Sequence, residues 1–510
     1  MADEETTHEE QPSRRDVLGL AAGGLAVSGL VGCGPGGDVA SSETPVVSPA
    51  SHELVEPLYF SSTVAMAEAL AAGDVSSVEL VESCLQRIAE VNPALNAVVQ
   101  LDGETALELA TQADAARARG ESVGALFGVP MTIKDSLDTA GMISTGGSKG
   151  RASFVPQRDA TVVRRLREAG AILLGKTNTP EFTLSFETDN LIYGTTTNPW
   201  DSAMTSGGSS GGAAAIVAAG GAPFDIGSDY GGSIRLPAHF CGICGIKPTS
   251  GRVPRTGHIY PFGGVQDSFQ QIGPLAREVD DLTLLLSIIA GPDGVDPAIV
   301  PMATSDPEAV DLGALRVSFH TDNGIRTPTS ETVAAVEDAA QALASEVASV
   351  EEARPTGVED TFELGALYSW DDGAAVARLS RAAGTTESSL SPGDGTAMGA
   401  VALDALIARW WDMRSRMTGF FDDYDVILSP VNAGPAFEHG GLAEAGLASF
   451  SYTISYNLTG WPGAVVRGGT APEGLPIGVQ IVARPWREDV ALAVAKVLES
   501  KLGPFPRPLL

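Results

Sequence analysis

The sequence predicts an α/β protein built around a β-sheet, and two observations lead to this prediction. Short apolar runs typical of buried strands alternate along the chain with segments whose apolar residues recur at helical spacing. Some of the strand-like runs lead directly into turns rich in glycine and serine. Because the order strand, turn, helix places such turns at one edge of a sheet, we expect the functional side chains at strand ends.

The first elements follow a recognisable capping signal. Ser76 to Glu79 has the pattern of a capping box, and apolar residues then recur at helical spacing as far as Val91. Asn92-Pro93 predicts the end of this helix. Residues 97–99 predict a short strand, and residues 104–119 predict a second helix.

The alternation of strand and helix continues through the rest of the chain. Its next elements are a strand at 129–133, a helix at 160–169, a strand at 171–174 closed by Gly175, a helix at 213–219 and a strand at 223–226. From about 290 to 440 the pattern is more helical and less regular. Residues 426–428 and 478–483 predict further strands of the same sheet, and residues 488–502 predict a closing amphipathic helix.

Composition limits the classes of partner. The 510 residues contain 64 acidic and 32 basic side chains, which gives a net charge of −32, and 44% of the residues are hydrophobic. Such an acidic chain repels nucleic acid and anionic lipid headgroups, so neither is expected to bind it directly. The hydrophobic content is sufficient for a large core.

The N-terminal residues resemble an export signal. Ser13 to Leu18 resembles a twin-arginine motif, and the weakly apolar run at 17–31 is short for a membrane span. Leu30 to Cys33 resembles the cleavage box of bacterial lipoproteins, which would make Cys33 the lipidated first residue of the mature protein. The alternative is a chance pair of arginines before an apolar segment.

These features predict three parts of the chain. Residues 1–32 form the export signal, residues 33–56 form a flexible tether, and residues 57–505 form the folded domain. We therefore expect an exported protein at the cell envelope, on its periplasmic or extracellular face, anchored to the membrane through a lipid on Cys33.

The cysteines do not indicate a metal site. Cys241 and Cys244 form a C-x-x-C pattern, but no second pair or nearby histidine pair completes a zinc site. We expect buried thiols, with no metal and no cofactor.

Two glycine-rich segments that contain serine, here called glycine nests, and one lysine are the candidate catalytic groups. Gly207 to Gly212 surrounds Ser209 and Ser210, and Gly227 to Arg235 surrounds Ser233. Glycine leaves a hydroxyl open to a substrate and lets backbone N–H groups point at an oxyanion. Lys134 lies upstream of both nests and becomes a base if burial removes its proton. The combination suggests a hydrolase of acyl bonds that uses no histidine.

A Ser/His/Asp triad is the alternative arrangement at the same serine. His239 follows Ser233 by six residues, but the sequence around Ser233 lacks the Gly-x-Ser-x-Gly elbow. The glycine runs also lack the Lys-Ser/Thr ending of a phosphate loop, which argues against nucleotide binding.

From about residue 60 to 500, the chain resembles the amidase signature family. The motifs that carry the resemblance are the two glycine nests, Asn178 to Phe182, Thr188 to Asn190, Asn198 to Asp201, Gly245 to Thr249 and Gly474 to Gln480. The resemblance implies a large mixed β-sheet with helices on both faces. It also implies hydrolysis of a small-molecule carboxamide to a carboxylate and an amine or ammonia, and it leaves a homodimer open.

Residue roles follow from motif position within this family. Ser233 is the expected nucleophile, Ser209 the bridging serine after a cis peptide bond from Gly208, and Lys134 the neutral base. The resemblance assigns the oxyanion hole to the backbone N–H groups of Tyr230, Gly231, Gly232 and Ser233, and supporting roles to Ser210, Asp229 and Arg235.

The sequence departs from the family pattern at two places. Tyr230 stands where members often have threonine or isoleucine, so its ring is expected to narrow the pocket for the acyl group. Residues 202–205 lack the basic residue often found there. Lys247 lies in a family motif, and we expect it to be structural.

Two other functions are compatible with these motifs. The glutamine-amidase subunit of a tRNA amidotransferase has the same triad, although the export signal and the net charge of −32 argue against a partner of tRNA. A lipoprotein that binds a ligand without catalysis is the second alternative. The sequence does not give the substrate, because specificity in the family lies in the variable region, here roughly 280–450.

Overall fold

A computed structural model describes residues 52–121, 124–390, 396–503 and 507–508. These residues belong to one folded unit that spans 51–510. The predicted export signal, Cys33 and most of the predicted tether lie outside the described residues. Within the tether's last residues, the N–H of Val55 donates to Ser61 Oγ at 2.9 Å.

The described residues form one sheet of eleven strands. The strands are β1 (Val98–Leu101), β2 (Pro130–Lys134), β3 (Ile172–Thr177), β4 (Phe224–Asp229), β5 (Cys244–Lys247), β6 (Gln271–Ala276), β7 (Arg316–Phe319), β8 (Ser349–Glu352), β9 (Val426–Pro430), β10 (Gly463–Thr470) and β11 (Pro476–Ala483). Their order across the sheet is β1-β3-β2-β4-β6-β5-β10-β11-β9-β7-β8.

Helices connect most of these strands. The α-helices are α1 (Thr63–Ala72), α2 (Ser77–Leu95), α3 (Gly103–Ala118), α4 (Thr161–Glu168), α5 (Gly211–Ala218), α6 (Arg235–Cys241), α7 (Val279–Ile289), α8 (Ser330–Leu343), α9 (Thr361–Leu364), α10 (Ala374–Ala383), α11 (Ala400–Gly419), α12 (Leu442–Ala445), α13 (Ser451–Thr459) and α14 (Glu488–Leu502). None of the helices in the described part of the chain is long and apolar enough to cross a membrane.

The sheet is mixed, which confirms the predicted fold class. β2 lies parallel to both β3 and β4, and β7 lies parallel to β8 and β9. The strands from β4 through β6, β5, β10 and β11 to β9 are antiparallel neighbours. Alternate residues of β3 enter different apolar clusters, Leu173 in one and Ile172 and Leu174 in another, so both faces of the sheet are covered.

Several predicted boundaries differ from the structure, and two of these differences have a clear physical reason. The first helix continues through Pro93 to Leu95, because a proline in the last turn removes few helical hydrogen bonds and the N–H of Asn96 still donates to Asn92 O at 2.8 Å. The strand predicted to close at Gly175 continues to Thr177. A side chain at Gly175 would place Cβ 2.2 Å from Gln100 O of the paired strand β1, so this glycine marks a close approach rather than a strand end.

The elements around the glycine nests lie where the pattern predicts them. α5 begins directly after the first nest, and β4 leads into the second nest, although β4 extends to Asp229, three residues beyond its predicted end. Cys84, Cys241 and Cys244 are buried free thiols, as expected from the sequence. The closing helix α14 has the predicted bounds.

Candidate active site

Lys134 is the last residue of β2, and three serine hydroxyls surround its side chain. Its Nζ lies 2.7 Å from Ser209 Oγ, 3.0 Å from Ser210 Oγ and 3.0 Å from Ser228 Oγ. The parallel strands β2 and β4 are neighbours, so Lys134 meets Ser228 near their carboxyl ends, where α5 also begins. The lysine side chain is fully buried.

Burial lowers the pKa of Lys134 well below its usual value, although the nearby carboxylates of Asp225 and Asp229 oppose this shift. A neutral amine has two N–H donors and one lone pair. This set matches the three hydroxyl contacts, one of which then donates its O–H to Nζ. Lys134 is therefore suited to accept a proton from a serine.

The first glycine nest holds Ser209 against this amine. The peptide bond between Gly208 and Ser209 is cis, as the family pattern predicts. The N–H of Ser210 donates to Ser233 O at 3.2 Å, which ties the first nest to the second. The structure thus brings Lys134, Ser209 and Ser233 to one edge of the sheet, as predicted.

The second nest connects β4 to α6 and presents Ser233 to a cavity. Ser233 is only 4% exposed, and its Oγ has no hydrogen-bonding partner among the described residues. The N–H of Gly232 donates to Asp229 Oδ1 at 2.9 Å and is occupied in this arrangement. Within the described part of the chain, the N–H groups of Tyr230, Gly231 and Ser233 have no acceptor, so three of the four predicted oxyanion donors are free.

Asp229 and Arg235 form a buried ion pair behind the nest. Arg235 donates through Nε to Asp229 Oδ2 at 3.0 Å and through Nη2 to Oδ1 at 2.9 Å. Arg235 also donates to Thr453 O, Asn457 Oδ1 and Gln480 Oε1, at 3.0, 2.6 and 2.6 Å. Burial would raise the pKa of Asp229, but the Arg235 guanidinium outweighs it and holds the pKa well below its usual range. The pair braces the turn that carries Ser233.

Two residues that sequence analysis missed fix the carbonyl groups of the nest. Tyr368 Oη donates to Tyr230 O at 2.8 Å, and Thr453 Oγ1 donates to Gly231 O at 2.7 Å. Each bond orients a peptide plane whose N–H lies on the next residue. Both residues come from parts of the chain distant in sequence from the nest, and no local signal marks them.

Ser228 and Asp225 are also functional candidates that sequence analysis missed. Asp225 accepts a hydrogen bond from Thr177 Oγ1 at 3.0 Å, and burial raises its pKa to about 7. A signal for Ser228 was available, since it stands beside Asp229 in the second nest, two residues after the predicted strand at 223–226.

His239 and Lys247 lie in other surroundings. His239 Nδ1 accepts from the N–H of Gly478 at 2.6 Å, its Nε2 lies 3.0 Å from Gly434 O, and burial lowers its pKa to about 4. Both ring nitrogens are thus occupied, so the Ser/His/Asp alternative was wrong. Lys247 donates to Pro248 O at 3.0 Å, and burial lowers its pKa to about 7, which fits its predicted structural role.

A cavity of about 560 Å³ opens in front of Ser233. This volume lies within the range of roughly 300–1,000 Å³ typical of small-molecule sites. The ring of Tyr230 lines it and packs 4.8 Å from the ring of Tyr368 and 5.5 Å from that of Tyr260, measured between centroids. The predicted narrowing of the pocket by Tyr230 is consistent with this placement.

Comparisons of the sequence with known proteins give a family match and several similar proteins. A family model described as Amidase matches residues 79–492. One component of the glutamyl-tRNA(Gln) amidotransferase of Chloroflexus aggregans is 36% identical over 472 residues, 86% of this chain and 95% of that protein. An acylamidase from Rhodococcus erythropolis is 35% identical over 472 residues, 87% of this chain and 96% of that protein.

A solved structure with the same fold covers most of the chain. The structure of 6-aminohexanoate cyclic dimer hydrolase complexed with substrate matches with a TM-score of 0.77 and 29% sequence identity. The match covers 88% of this chain and 99% of that protein.

Proposed function

Because this chain belongs to the amidase signature family, we propose that it hydrolyses the C–N bond of a linear carboxamide, other than a peptide bond, through an acyl-enzyme on Ser233. The observation that carries the proposal is the fully buried Lys134, whose Nζ lies 2.7 Å from Ser209 Oγ beside a cavity lined by Ser233. The products are a carboxylate and an amine or ammonia.

The proposed reaction has two stages. Ser233 Oγ attacks the amide carbonyl carbon while its proton passes through Ser209 to the neutral amine of Lys134. The proton returns to the leaving nitrogen as the C–N bond breaks, and the acyl group stays on Ser233 as an ester. Water then attacks this ester, releases the carboxylic acid and restores the Ser233 hydroxyl.

Geometry supports the roles of the backbone donors. In this proposal the free N–H groups of Tyr230, Gly231 and Ser233 stabilise the oxyanion of each tetrahedral intermediate, and one such donor is typically worth about 3 kcal/mol. The relay requires Ser233 Oγ to approach Ser209 Oγ during the reaction, since these two hydroxyls are not hydrogen bonded within the described structure.

Replacement of Ser233 tests the proposal. Ser233→Ala is expected to lower kcat/KM for a responsive amide by at least about a thousandfold, because the acyl-enzyme is lost. Ser369→Ala is the matched control, since Ser369 lines the same cavity but lies outside the triad. Near-full activity of Ser233→Ala contradicts the mechanism. Failure of a fluorophosphonate probe to label Ser233 in the unmodified protein favours the ligand-binding lipoprotein instead.

A second candidate is the glutamine-amidase subunit of a tRNA amidotransferase, because the relative from Chloroflexus aggregans belongs to such an enzyme. Glutamine hydrolysis that appears only after addition of partner proteins and tRNA supports this function. Hydrolysis of simple amides by the isolated chain supports the amidase. The net charge of −32 disfavours contact with tRNA.

We also propose that the protein is exported and anchored to the membrane through Cys33, on the strength of the sequence motifs at 13–18 and 30–33. Cys33→Ser is expected to move the protein from the washed membrane fraction to the soluble fraction. Cys84→Ser is the control, because Cys84 is buried in the folded unit. Retention of the Cys33→Ser protein in the membrane contradicts the anchor. The homodimer stays a prediction.

A further inference from the structure

The described residues that line the cavity in front of Ser233 are all uncharged. Among the described residues that line it, none is Asp, Glu, Lys, Arg or His. Its apolar walls come from separate segments of the chain, including Phe186, Tyr230, Phe362, Tyr368, Leu442 and Ile454. A ligand in this cavity therefore meets hydroxyl groups, backbone and apolar surface, but no charged partner from these residues.

Aromatic rings make two of the walls rigid. Phe186 stacks on Phe450 with ring centroids 4.0 Å apart and planes 4° apart. Tyr230 and Tyr368 meet edge to face, and the Tyr368 hydroxyl is fixed by the Tyr230 carbonyl. Walls of this kind favour aryl and alkyl groups, because such groups pack on the aromatic rings and the cavity does not have to reorganise on binding.

Acidic residues that flank the lining segments are directed to other partners. Glu181 Oε2 accepts hydrogen bonds from the N–H and hydroxyl of Ser389, and Glu187 Oε2 accepts from the N–H of Gly440. Asp371 accepts from the N–H of Ala375 at the start of α10. These carboxylates hold loops in place and are not among the cavity's lining residues.

From this lining we infer that the substrate is a neutral amide with an aryl or extended alkyl group, and that amides bearing a free carboxylate or ammonium, glutamine included, are rejected. The inference rests on the proposed function. A charged group would lose its hydration in the cavity without gaining an ion pair. The net charge of −32 further disfavours anionic amides through long-range repulsion.

Matched amides test the inference. We would measure kcat/KM at neutral pH for benzamide, 4-(aminomethyl)benzamide and 4-carboxybenzamide, which differ by one charged group, together with L-glutamine. The kcat/KM for benzamide is expected to exceed that for each charged amide by about 100-fold or more. A kcat/KM for a charged amide within tenfold of the benzamide value overturns the inference, and so does a kcat/KM for L-glutamine above that value.

Binding to Ser233→Ala separates this inference from the proposed function. Calorimetric titration of that variant with the same amides measures selectivity without turnover. Preferential binding of benzamide supports the inference even where the unmodified protein hydrolyses none of the amides, a result that contradicts only the proposed function. Equal binding of the neutral and charged amides overturns the inference alone.

A charge placed in the wall gives a second test. Ile454 lines the cavity, and a Cβ at Gly231 would lie 3.7 Å from its side chain, so it is close to the nest. Ile454→Glu is expected to raise the ratio of 4-(aminomethyl)benzamide to benzamide activity by about tenfold relative to Ile454→Gln, which has a similar size without the charge. An equal ratio in the two variants, both shown to be folded by circular dichroism, means that the substrate lies elsewhere and overturns the inference.

Discussion

At the scale of single residues, the site depends on a lysine that burial holds neutral. Lys134 Nζ contacts three serine hydroxyls, and the Asp225 carboxylate nearby opposes the lowering of its pKa. A lysine is mostly neutral, and so available as a base, only at a pH above its own pKa. The pH dependence of the reaction therefore reports the environment of this one amine.

The activity is expected to fall as the pH falls through the pKa of Lys134. Because burial lowers that pKa, the midpoint of kcat/KM should lie well below the usual lysine value of about 10.4. Asp225→Asn removes a carboxylate that raises the pKa, so it should shift the midpoint to lower pH. A pH–rate profile of each protein checks this. Asp404→Asn, at an exposed position on α11, should leave the midpoint unchanged, and a shift to higher pH in Asp225→Asn contradicts the assignment.

The Tyr368 hydroxyl is expected to support the oxyanion hole indirectly. Tyr368→Phe keeps the ring in the cavity wall but removes the bond to Tyr230 O, which orients the peptide carrying the Gly231 N–H. Loss of one neutral hydrogen bond costs about 0.5–1.5 kcal/mol. We expect kcat to fall by roughly 2- to 10-fold with KM unchanged.

Steady-state kinetics with a neutral amide measures this effect. Tyr424→Phe is the matched control, because the Tyr424 hydroxyl bonds to Glu351 away from the cavity. A rise in KM with kcat unchanged would show that Tyr368 acts through substrate binding rather than through the peptide plane.

At the scale of elements, close packing of α5 on the sheet sets the position of the first nest. Gly212 lies in the first turn of α5, and a side chain there would place Cβ 2.4 Å from Asn178 N and 2.9 Å from Ala97 O. The helix can approach these backbone atoms only because the residue is glycine. Ser209 and Ser210 directly precede this helix, so the position of the helix also sets the positions of these two serines.

Gly212→Ala is therefore expected to lower stability by about 1–3 kcal/mol through overpacking and to reduce activity by displacing Ser209. Gly419→Ala is the control, because Gly419 also lies in a helix but has open space around it, so its stability should change by less than about 1 kcal/mol. Urea unfolding and kcat measure the two effects. Equal stability of the two variants contradicts the packing argument.

At the scale of the whole molecule, Arg235 joins elements that are far apart in the chain. Its guanidinium connects Asp229 at the end of β4 to Thr453 and Asn457 on α13 and to Gln480 on β11. Both charges are fully buried. The turn that carries Ser233 is thus fixed by groups from the C-terminal part of the fold.

Arg235→Met is expected to lower the free energy of unfolding by about 3–5 kcal/mol, because it leaves the Asp229 carboxylate buried without its partner. Arg235→Lys should lower the free energy of unfolding by less than Arg235→Met does, but it should still destabilise the protein, since an ammonium cannot replace the bidentate contact with Asp229. Arg316→Met removes a partly exposed pair with Asp425 and should cost no more than about 1 kcal/mol. Urea unfolding of the three variants checks this order, and an equal loss in Arg235→Met and Arg316→Met contradicts it.

Much of the sheet could be predicted from local pattern, and the errors have local causes. The helix α14 follows helical periodicity and the strand β2 follows a short apolar run, and both lie where these patterns predict them. The strands β5 and β6 were missed because they are fully buried and have no alternation to distinguish them from other apolar or glycine-rich runs. The strands β7, β8 and β10 were missed as well. Gly175 was taken for a strand end because a sequence does not show which backbone will approach a glycine.

The sequence by itself determined the α/β class, the family and the residues that the motifs bring together, Lys134, Ser209 and Ser233, because glycine nests and strand ends are local features. Only the tertiary structure decided which groups complete the site. Tyr368 and Thr453 act through contacts between segments distant in the chain, and the occupied Gly232 N–H depends on where the Asp229 carboxylate is held. Such contacts, like the absence of charged side chains among the described residues that line the cavity, involve several segments at once, so no single stretch of sequence contains them.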